Sequence, residues 1–245
     1  MTAELLRVNE SLTRPDTLQA AVVSSMRGWT GYLPIMDVLR SVPGVNAYVT
    51  GGTVRDAVAG SGRPPKDFDF FLDGAGAERF LDALGQEGEL TTGPFGSPRW
   101  LPRGERQRYA DIVPVWKFRT GLWRCENIVD VLNQFDFTAN AVAVDIRDGT
   151  VFDPQNGLRD GRAGIMRAVR FDFPEEPIRP GEELSFLSVL WFRLAHYAAA
   201  LDFSIEPLTV RWLREHERFR ADVDAFRRTF YDPDLTRVHL NEPPA

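Results

Sequence analysis

The sequence predicts an α/β or α+β fold in which helices flank a mixed sheet, followed by a purely helical segment. Predicted strands alternate with helices over the first 180 residues, and a β-hairpin pattern closes this region. From about residue 182 onward only amphipathic helical patterns remain. We therefore expect one domain over residues 1–180 and a helical segment over residues 181–245, joined without a linker.

Hydrophobic periodicity and turn residues predict the elements of the first ninety residues in order. Apolar residues recur at helical spacing over residues 17–29 and 32–42, up to Pro43 and Gly44, which predicts two short helices. A β-prone run at residues 46–50 predicts a strand that ends at a glycine pair. A helix capped by Thr53, a second strand and a helix closed by glycine are predicted next, at residues 53–59, 66–73 and 75–88.

The second half of the chain begins with a stretch rich in Gly, Pro and Arg, which predicts a loop or an irregular hairpin over residues 88–108. The patterns that follow predict a strand, a helix and two strands joined at Asp148-Gly149, over residues 109–118, 126–134 and 137–153. Three helices are then predicted at residues 183–201, 207–220 and 221–231. The first of these is apolar around much of its circumference, so we expect it to be buried against the sheet domain.

Composition limits the classes of function. The net charge of −6 argues against sequence-independent coating of nucleic acid, although it permits a local basic groove. Cys125 is the single cysteine, which excludes an intrachain disulfide and a cysteine-based zinc site. The first residues lack a signal-peptide pattern, and no apolar run reaches the roughly 20 residues of a membrane span. We expect a cytoplasmic protein with no membrane contact.

Two aspartates on the strand at residues 66–73 indicate a metal site. Side chains alternate along a strand, so Asp67 and Asp69 share one face with Phe71, and we expect this face to be open. With Cα atoms roughly 7 Å apart, the two carboxylates can converge on a hard cation such as Mg²⁺. Most Asp-x-Asp triplets are merely solvated, but this one follows Gly51-Gly52 at a strand-to-helix turn that favours phosphate oxygens.

The segments GGTVRD (51–56) and DFD (67–69) resemble the class II nucleotidyltransferases, the family of CCA-adding enzymes and bacterial poly(A) polymerases. The dinucleotide and P-loop glycine motifs are both absent. Further segments are similar to family segments in the same order, and the resemblance covers about residues 45–207. These are FDFTANAVAVD (135–145), VFDPQNGLRDGRAGIMRAV (151–169), FPEEPIR (173–179) and LWFRLAHYAAALDFSIEP (190–207). The resemblance implies a polymerase β-like nucleotidyltransferase head followed by a small helical neck.

The resemblance implies transfer of a nucleoside monophosphate from an NTP, ATP or CTP, to the 3′ end of an RNA, with tRNA favoured. Two Mg²⁺ ions, roughly 3.5 to 4 Å apart, would be held by Asp67 and Asp69, with Asp111 as the candidate third carboxylate. For Asp111 the alternative is a structural ion pair with Arg108 or Lys117. No histidine base is required.

Other matched positions imply nucleotide contacts, each with a structural alternative. Gly51 and Gly52 would hold the triphosphate, while Arg55 and Asp56 would either brace that loop or contact the triphosphate. Asp136 would help to hold the ribose, or would be a turn aspartate, and Asn140 lies in the same matched segment. The residues matched to the base-reading segment are Glu175, Glu176 and Arg179, which otherwise would belong to a solvated acidic loop.

Departures from the family pattern keep other functions open. Gln134 and Phe135 stand where the family has paired arginines, which would remove two cations from the nucleotide pocket. The resemblance does not extend to the body and tail domains that hold tRNA, so a protein partner could supply acceptor binding. The alternatives are nucleotidylation of a protein or a small molecule, and a catalytically silent nucleotide- or RNA-binding subunit. The arginines of residues 211–228 fit either an RNA cradle or a solvated helix face with ion pairs.

Overall fold

The computed structural model describes residues 15–60, 64–93, 95–118 and 123–236. The helices are α1 (Pro15–Arg27), α2 (Tyr32–Ser41), α3 (Gly51–Ala59), α4 (Ala77–Glu87), α5 (Ile128–Leu132), α6 (Gly157–Ala163), α7 (Phe186–Ala200), α8 (Pro207–Glu215) and α9 (Val223–Thr229). The strands are β1 (Asn46–Thr50), β2 (Asp67–Asp73), β3 (Gly88–Thr92), β4 (Pro98–Pro102), β5 (Tyr109–Pro114), β6 (Ala143–Asp145), β7 (Val151–Phe152), β8 (Ile165–Met166) and β9 (Ser204–Ile205). Single 3₁₀ turns form at Val115–Lys117 and Thr138–Asn140, and a longer one at Glu217–Asp222.

The main sheet of the described residues has seven strands in the order β3-β4-β5-β2-β1-β6-β7. Strands β2 and β5 run parallel, and the other neighbouring pairs are antiparallel. The predicted mixed sheet with flanking helices is therefore confirmed. Strand β2, which carries the two aspartates, lies between β1 and β5 in the middle of the sheet.

Both faces of the sheet are covered, each by its own apolar cluster. On one face, Phe68 and Phe70 of β2 pack with residues of α1, α2 and α4, including Val22, Ile35 and Phe80. On the other face, Phe71 is buried with apolar residues of β5 and α5. The expectation that the aspartate face of β2 is open along its length is therefore wrong, because Phe71 in the middle of this face is buried with α5. Asp67 is exposed, and Asp69 and Asp73 are half-buried.

A third apolar cluster joins the helical segment to the sheet domain. Phe137 and Met166 pack with residues of α7, α8 and α9, such as Trp191, Leu213 and Phe226. Strand β9 pairs with β8 in parallel, so the expectation that only helices follow residue 182 is wrong at Ser204–Ile205. The cluster crosses residue 180, and the division of the chain there stays a prediction.

Two local predictions differ from the structure, and for a third the structure selects one of two predicted alternatives. Helix α3 begins at Gly51 with Thr50 as its N-cap residue, so Thr53 lies inside the helix and is buried. Residues 88–108 contain a β-hairpin, the second of the two alternatives, in which β3 pairs with β4. The first of the two strands predicted over residues 137–153 is shorter than expected. It forms only at Ala143–Asp145, because a 3₁₀ turn occupies Thr138–Asn140.

Helix α6 was missed at a position where the resemblance implied a hairpin and strand. The Asp153 carboxylate accepts hydrogen bonds from the backbone N–H groups of Gly157 and Leu158, at 2.5 and 3.1 Å, and so caps the helix. A Cβ atom at Gly157 would collide with the carbonyl oxygen of Thr138. The glycine therefore allows α6 to lie against the Thr138–Asn140 turn beside the site.

Candidate active site

Strand register brings the predicted carboxylates together on one face of the sheet. Asp69 on β2 is directly opposite Asp111 on β5 and opposite Thr50 on β1. Asp67 lies two residues before Asp69 and therefore on the same face. Arg99 on β4 is directly opposite Asp111, so that a row of polar residues crosses four strands. The three predicted acids thus lie where their sequence positions placed them.

Asp69 is the acid with the most perturbed electrostatics. The pKa of its carboxyl is raised to about 7, mainly by burial and secondly by the charges of Asp67 and Asp111. Arg193 acts in the opposite direction, but less strongly. The described residues provide no ion pair to the Asp69 carboxylate. A half-buried carboxylate with two acidic neighbours favours either a proton or a metal cation.

The other two acids have partners in the structure. The Asp111 carboxylate accepts two hydrogen bonds from the Arg99 guanidinium, at 2.8 and 2.9 Å. The Tyr109 hydroxyl donates to Asp67 at 3.2 Å, and the Arg99 guanidinium lies 3.8 Å from the centroid of the Tyr109 ring. Among the described residues, no three acidic, histidine or cysteine side chains converge as ligands of a metal ion. Asp111 therefore shares the face with the aspartate pair, but its carboxylate is directed to Arg99.

Arg108 and Lys117, the two cations expected to pair with Asp111 if its role were structural, pair with other acids instead. Arg108 lies 3.6 Å from Glu105, and Lys117 lies 3.9 Å from Glu78. The ion pair of Asp111 was foreseen as an alternative, but with the wrong cation. Arg99 was missed because it lies in the segment that the sequence left as a loop or irregular hairpin.

The glycine turn lies directly beside Asp69. Gly51 has a φ of +65°, a region that L side chains rarely adopt, and a Cβ atom there would collide with the Asp69 carboxylate. At Gly52 a Cβ atom would meet the Arg55 guanidinium only at 3.4 Å, an ordinary contact. The buried Thr50 hydroxyl has no hydrogen-bond partner among the described residues. The turn therefore presents the free N–H groups of the first turn of α3 and an unpaired hydroxyl next to the acid.

A hydrogen-bond network connects the remaining motif residues. Arg55 donates to Asp56 at 2.9 Å and to the side-chain oxygen of Asn140 at 2.9 Å. The Asn140 amide donates to Asp136 at 3.3 Å. Arg193 donates to the other oxygen of the Asp136 carboxylate, with N···O distances of 2.7 and 2.8 Å. Four of the predicted nucleotide-binding residues thus form one network, which ends at an arginine of α7.

Arg193 is a second site residue, besides Arg99, that the sequence analysis missed. The charges of Arg193 and Asp136 both act on the pKa of Asp69, which places the network close to the aspartate pair. Its sequence signal is an arginine within the apolar stretch LWFRLAHY of a helix expected to be buried. A half-buried guanidinium requires a carboxylate partner, and Asp136 was an acid without an assigned one.

The two positions that depart from the family pattern belong to the core. Gln134 is 2% exposed, and its amide nitrogen lies 2.8 Å from the sulfur of Cys125. Phe135 is half-buried, with its ring centroid 6.0 Å from those of Phe71 and Phe118. Their side chains pack on the face of the sheet that α5 covers.

The residues matched to the base-reading segment lie in the irregular chain before α7. Glu175 is exposed and forms an ion pair with Arg218, and the Arg179 guanidinium lies 2.5 Å from Glu182. Glu176 is exposed as well, and its carbonyl oxygen accepts a hydrogen bond from the N–H of Phe186. The contacts described for these side chains reach the helical segment rather than the residues around Asp69. Their role in base recognition stays a prediction.

The described histidine His196 and several arginines of the helical segment have structural partners. His196 Nδ1 accepts a hydrogen bond from the N–H of Asp234 at 2.9 Å, and burial lowers the pKa of His196. His239 lies outside the described residues. Four arginines of residues 211–228 form ion pairs, as on a solvated helix face: Arg218–Glu175, Arg220–Glu217, Arg227–Asp224 and Arg228–Glu183. Within the described ranges, no helix is long and apolar enough to span a membrane.

Comparison with known sequences shows that the chain belongs to the family of the multifunctional CCA proteins. It is 31% identical over 227 residues, 80% of its length, to a multifunctional CCA protein of Xanthomonas oryzae pv. oryzae, of which it covers 50%. A multifunctional CCA protein of Neisseria meningitidis is 31% identical over 176 residues, 70% of this chain and 38% of that protein. The chain thus spans half or less of the length of these curated relatives. No family model matches the sequence.

Comparison with solved structures gives the same relationship for the fold. A CCA-adding enzyme in complex with ATP matches 87% of this chain and 49% of its own with a TM-score of 0.63 at 22% identity. A tRNA nucleotidyltransferase in complex with a primer tRNA and an incoming ATP analogue matches 78% of this chain and 52% of its own, with a TM-score of 0.56 at 22% identity. The resemblance read from the motifs is thereby confirmed, as is the nucleotidyltransferase fold.

Proposed function

We propose that this chain, a relative of the CCA-adding enzymes over about half of their length, is a Mg²⁺-dependent nucleotidyltransferase that adds NMP units from an NTP to an RNA 3′ end. The observation that carries the proposal is the position of Asp69. The charges of both Asp67 and Asp111 act on the Asp69 carboxylate, and this carboxylate lies against the glycine turn that begins α3. An acid and a helix N-terminus this close form a site for a cation with a polyphosphate.

The donor set fits Mg²⁺, which prefers hard oxygen ligands. Asp67 and Asp69 would hold it, and Asp111 is the third acid of the same face. A bound Mg²⁺ would neutralise charge on the transferring phosphoryl group and on the leaving pyrophosphate.

The remaining site residues bind and orient the nucleotide in this proposal. The N–H groups of Gly51, Gly52 and the first turn of α3 would donate to triphosphate oxygens, together with the unpaired hydroxyl of Thr50. Asp136 would accept from the ribose hydroxyls, in an orientation fixed by Asn140 and Arg193. Arg55 braces this arrangement through Asn140 and Asp56, so its contact with phosphate would be indirect.

The proposed donor is ATP or CTP, and the proposed acceptor is tRNA. Solved relatives are complexes with ATP, with CTP and with a primer tRNA, which supports ATP or CTP as the donor and tRNA as the acceptor. Glu175 and Arg179 would contact the base only if their ion pairs with Arg218 and Glu182 opened, while Glu176 is exposed. A protein partner that contributes acceptor binding, a cytoplasmic location and a head and neck division near residue 180 belong to the same proposal.

The experiment is transfer of label from each of the four α-labelled NTPs to total RNA and, separately, to total protein. We expect label on RNA with ATP or CTP in the presence of Mg²⁺, and none with Asp69→Asn. Label on protein alone would replace the RNA acceptor with a protein acceptor.

A second function is favoured by one specific observation. The Asp111 carboxylate is closed on Arg99, as expected of a site that binds nucleotide without completing a two-metal centre. If no NTP gave transfer or pyrophosphate release while NTP still bound, the chain would be a nucleotide-binding subunit.

A further inference from the structure

We propose that Arg99 takes the place of a second metal cation, so that the site binds one divalent ion per chain, at Asp67 and Asp69. The inference rests on the proposed function and deepens it, because it fixes the number of ions that the centre holds. It concerns the three carboxylates on one face of the sheet and the arginine that shares this face with them.

The strand register places the guanidinium within reach of Asp111. Arg99 on β4 is the cross-strand partner of Asp111 on the neighbouring strand, and Asp69 is the partner of Asp111 on its other side. Arg99 donates through Nε and through a terminal nitrogen, each to a different oxygen of the Asp111 carboxylate. A bidentate pair of this kind is among the stronger charge-assisted contacts and fixes the orientation of both groups.

One further contact holds Arg99 in place, and its partner in turn contacts Asp67. Its guanidinium lies over the ring of Tyr109, 3.8 Å from the centroid, in cation–π geometry. The Tyr109 hydroxyl donates in turn to Asp67. The side chains of Arg99 and Asp111 are only 26% and 20% exposed, so solvent screens their attraction less than at an open surface. Arg99 is therefore connected to Asp111 directly and to Asp67 through Tyr109.

The balance of charge then favours one divalent ion. When ionised, Asp67, Asp69 and Asp111 carry three negative charges, and Arg99 cancels one of them. Two charges remain, which is the charge of one Mg²⁺. The other nearby cation, Arg193, is balanced by Asp136. A second divalent ion at Asp111 would lie against a guanidinium that cannot lose its proton, and the two cations would repel each other.

The test counts bound Mn²⁺ by electron paramagnetic resonance, with the metal alone as the probe. We expect one Mn²⁺ for each wild-type chain, the same count for Asp111→Asn, and loss of that ion in Asp69→Asn. Arg99→Gln frees the Asp111 carboxylate and removes one positive charge that repels the metal ion. We therefore expect a second bound Mn²⁺, or binding of the first that is at least about tenfold tighter. Arg99→Lys keeps the charge and should retain one ion, and Arg40→Gln, at an exposed pair with Asp37, should leave the count unchanged.

Two ions in the wild type, one of which is lost in Asp111→Asn, would overturn the inference. The inference would also be overturned if neither the wild type nor Arg99→Gln bound Mn²⁺ at millimolar concentration. If Arg99→Gln fails to fold, the comparison of wild type with Asp111→Asn still decides the count. The ion count is measured without nucleotide or RNA, so its outcome is distinct from the presence or absence of NMP transfer.

Discussion

The guanidinium of Arg193 on α7 lies 2.7 Å from the carboxylate of Asp136, which precedes the Thr138–Asn140 turn. The pair connects the helical segment to the network that holds Asn140 and Arg55. It also adds charge next to Asp69, whose pKa responds to both members. The helical segment therefore contributes to the site directly, besides its packing on the sheet domain.

Removal of one member of this pair should destabilise the protein. Arg193→Gln leaves Asp136, which is 4% exposed, without its cation, and we expect a loss of about 1 to 3 kcal/mol in the free energy of unfolding. In a double-mutant cycle with Asp136→Asn, urea unfolding should show that the double mutant loses less than the sum of the two single mutants. Additive losses would mean that the two side chains are not coupled.

The two glycines of the turn should respond differently to alanine. Gly51→Ala would place a Cβ atom against Asp69 in a left-handed backbone conformation, so we expect a loss of about 2 to 4 kcal/mol and of NMP transfer. Gly52→Ala is the matched control, because its Cβ atom would make an ordinary contact, and stability should stay within about 1 kcal/mol. Urea unfolding of both variants measures the difference. Equal losses would contradict the close approach of Gly51 to Asp69.

The metal-free protein should lose stability as pH rises. The carboxyl of Asp69 has a pKa of about 7 in the folded chain against 3.8 for an ordinary aspartate, so the folded state binds more protons between these values. Its contribution is fully present below pH 4 and is lost as pH rises through about 7. After allowance for the solvent that reaches a half-buried side chain, this amounts to about 2 kcal/mol.

The comparison that isolates this effect is thermal unfolding in EDTA at pH 5 and pH 8, for wild type and Asp69→Asn. Burial also raises the pKa values of Asp145, Asp153 and Asp222, which adds a slope of the same sign, and lowers that of His196, which adds a slope of the opposite sign. Both proteins share this background. The asparagine variant should lose less stability than wild type between the two pH values. Mg²⁺ should restore wild-type stability at pH 8. An identical slope in both proteins would show that Asp69 is not perturbed.

Restoring an arginine at position 134 should not create a triphosphate contact. Gln134 is 2% exposed, and its amide contacts the Cys125 sulfur and the Asp130 carbonyl oxygen, so Gln134→Arg would bury a charge among groups that carry no charge. We expect a loss of about 2 to 4 kcal/mol, against about 1 kcal/mol for the control Gln134→Met. Chemical unfolding together with NTP titration checks this. Unchanged stability with tighter NTP binding would show that position 134 faces the nucleotide.

The parts of the fold that the sequence predicted are those set by local pattern. The alternation at Asp67 and Asp69, the helical spacing of α1 and α2, and the glycine turn are all readable within a few residues. The cross-strand neighbours were not readable. Arg99 meets Asp111 because β4 lies beside β5, and Arg193 meets Asp136 because α7 packs on the Thr138–Asn140 turn, and neither relationship is encoded in sequence spacing.

Two further errors have the same origin in tertiary contacts. The face of β2 that carries the aspartates was expected to be open, but Phe71 in the middle of that face is buried with residues of α5. Gln134 and Phe135 were interpreted as losses from a nucleotide pocket, whereas their side chains pack in the α5 core. In both cases the missing information was which element lies above a given residue.

The measurement that tests the central claim most directly is label transfer from α-labelled ATP and CTP to RNA 3′ ends, with Mg²⁺, by wild type and by Asp69→Asn. Circular dichroism of both proteins provides the control for folding. The account predicts labelled RNA with the wild type and none with a folded Asp69→Asn. Equal transfer by both proteins would contradict the account, because the carboxylate beside the Gly51 turn would then have no part in the reaction.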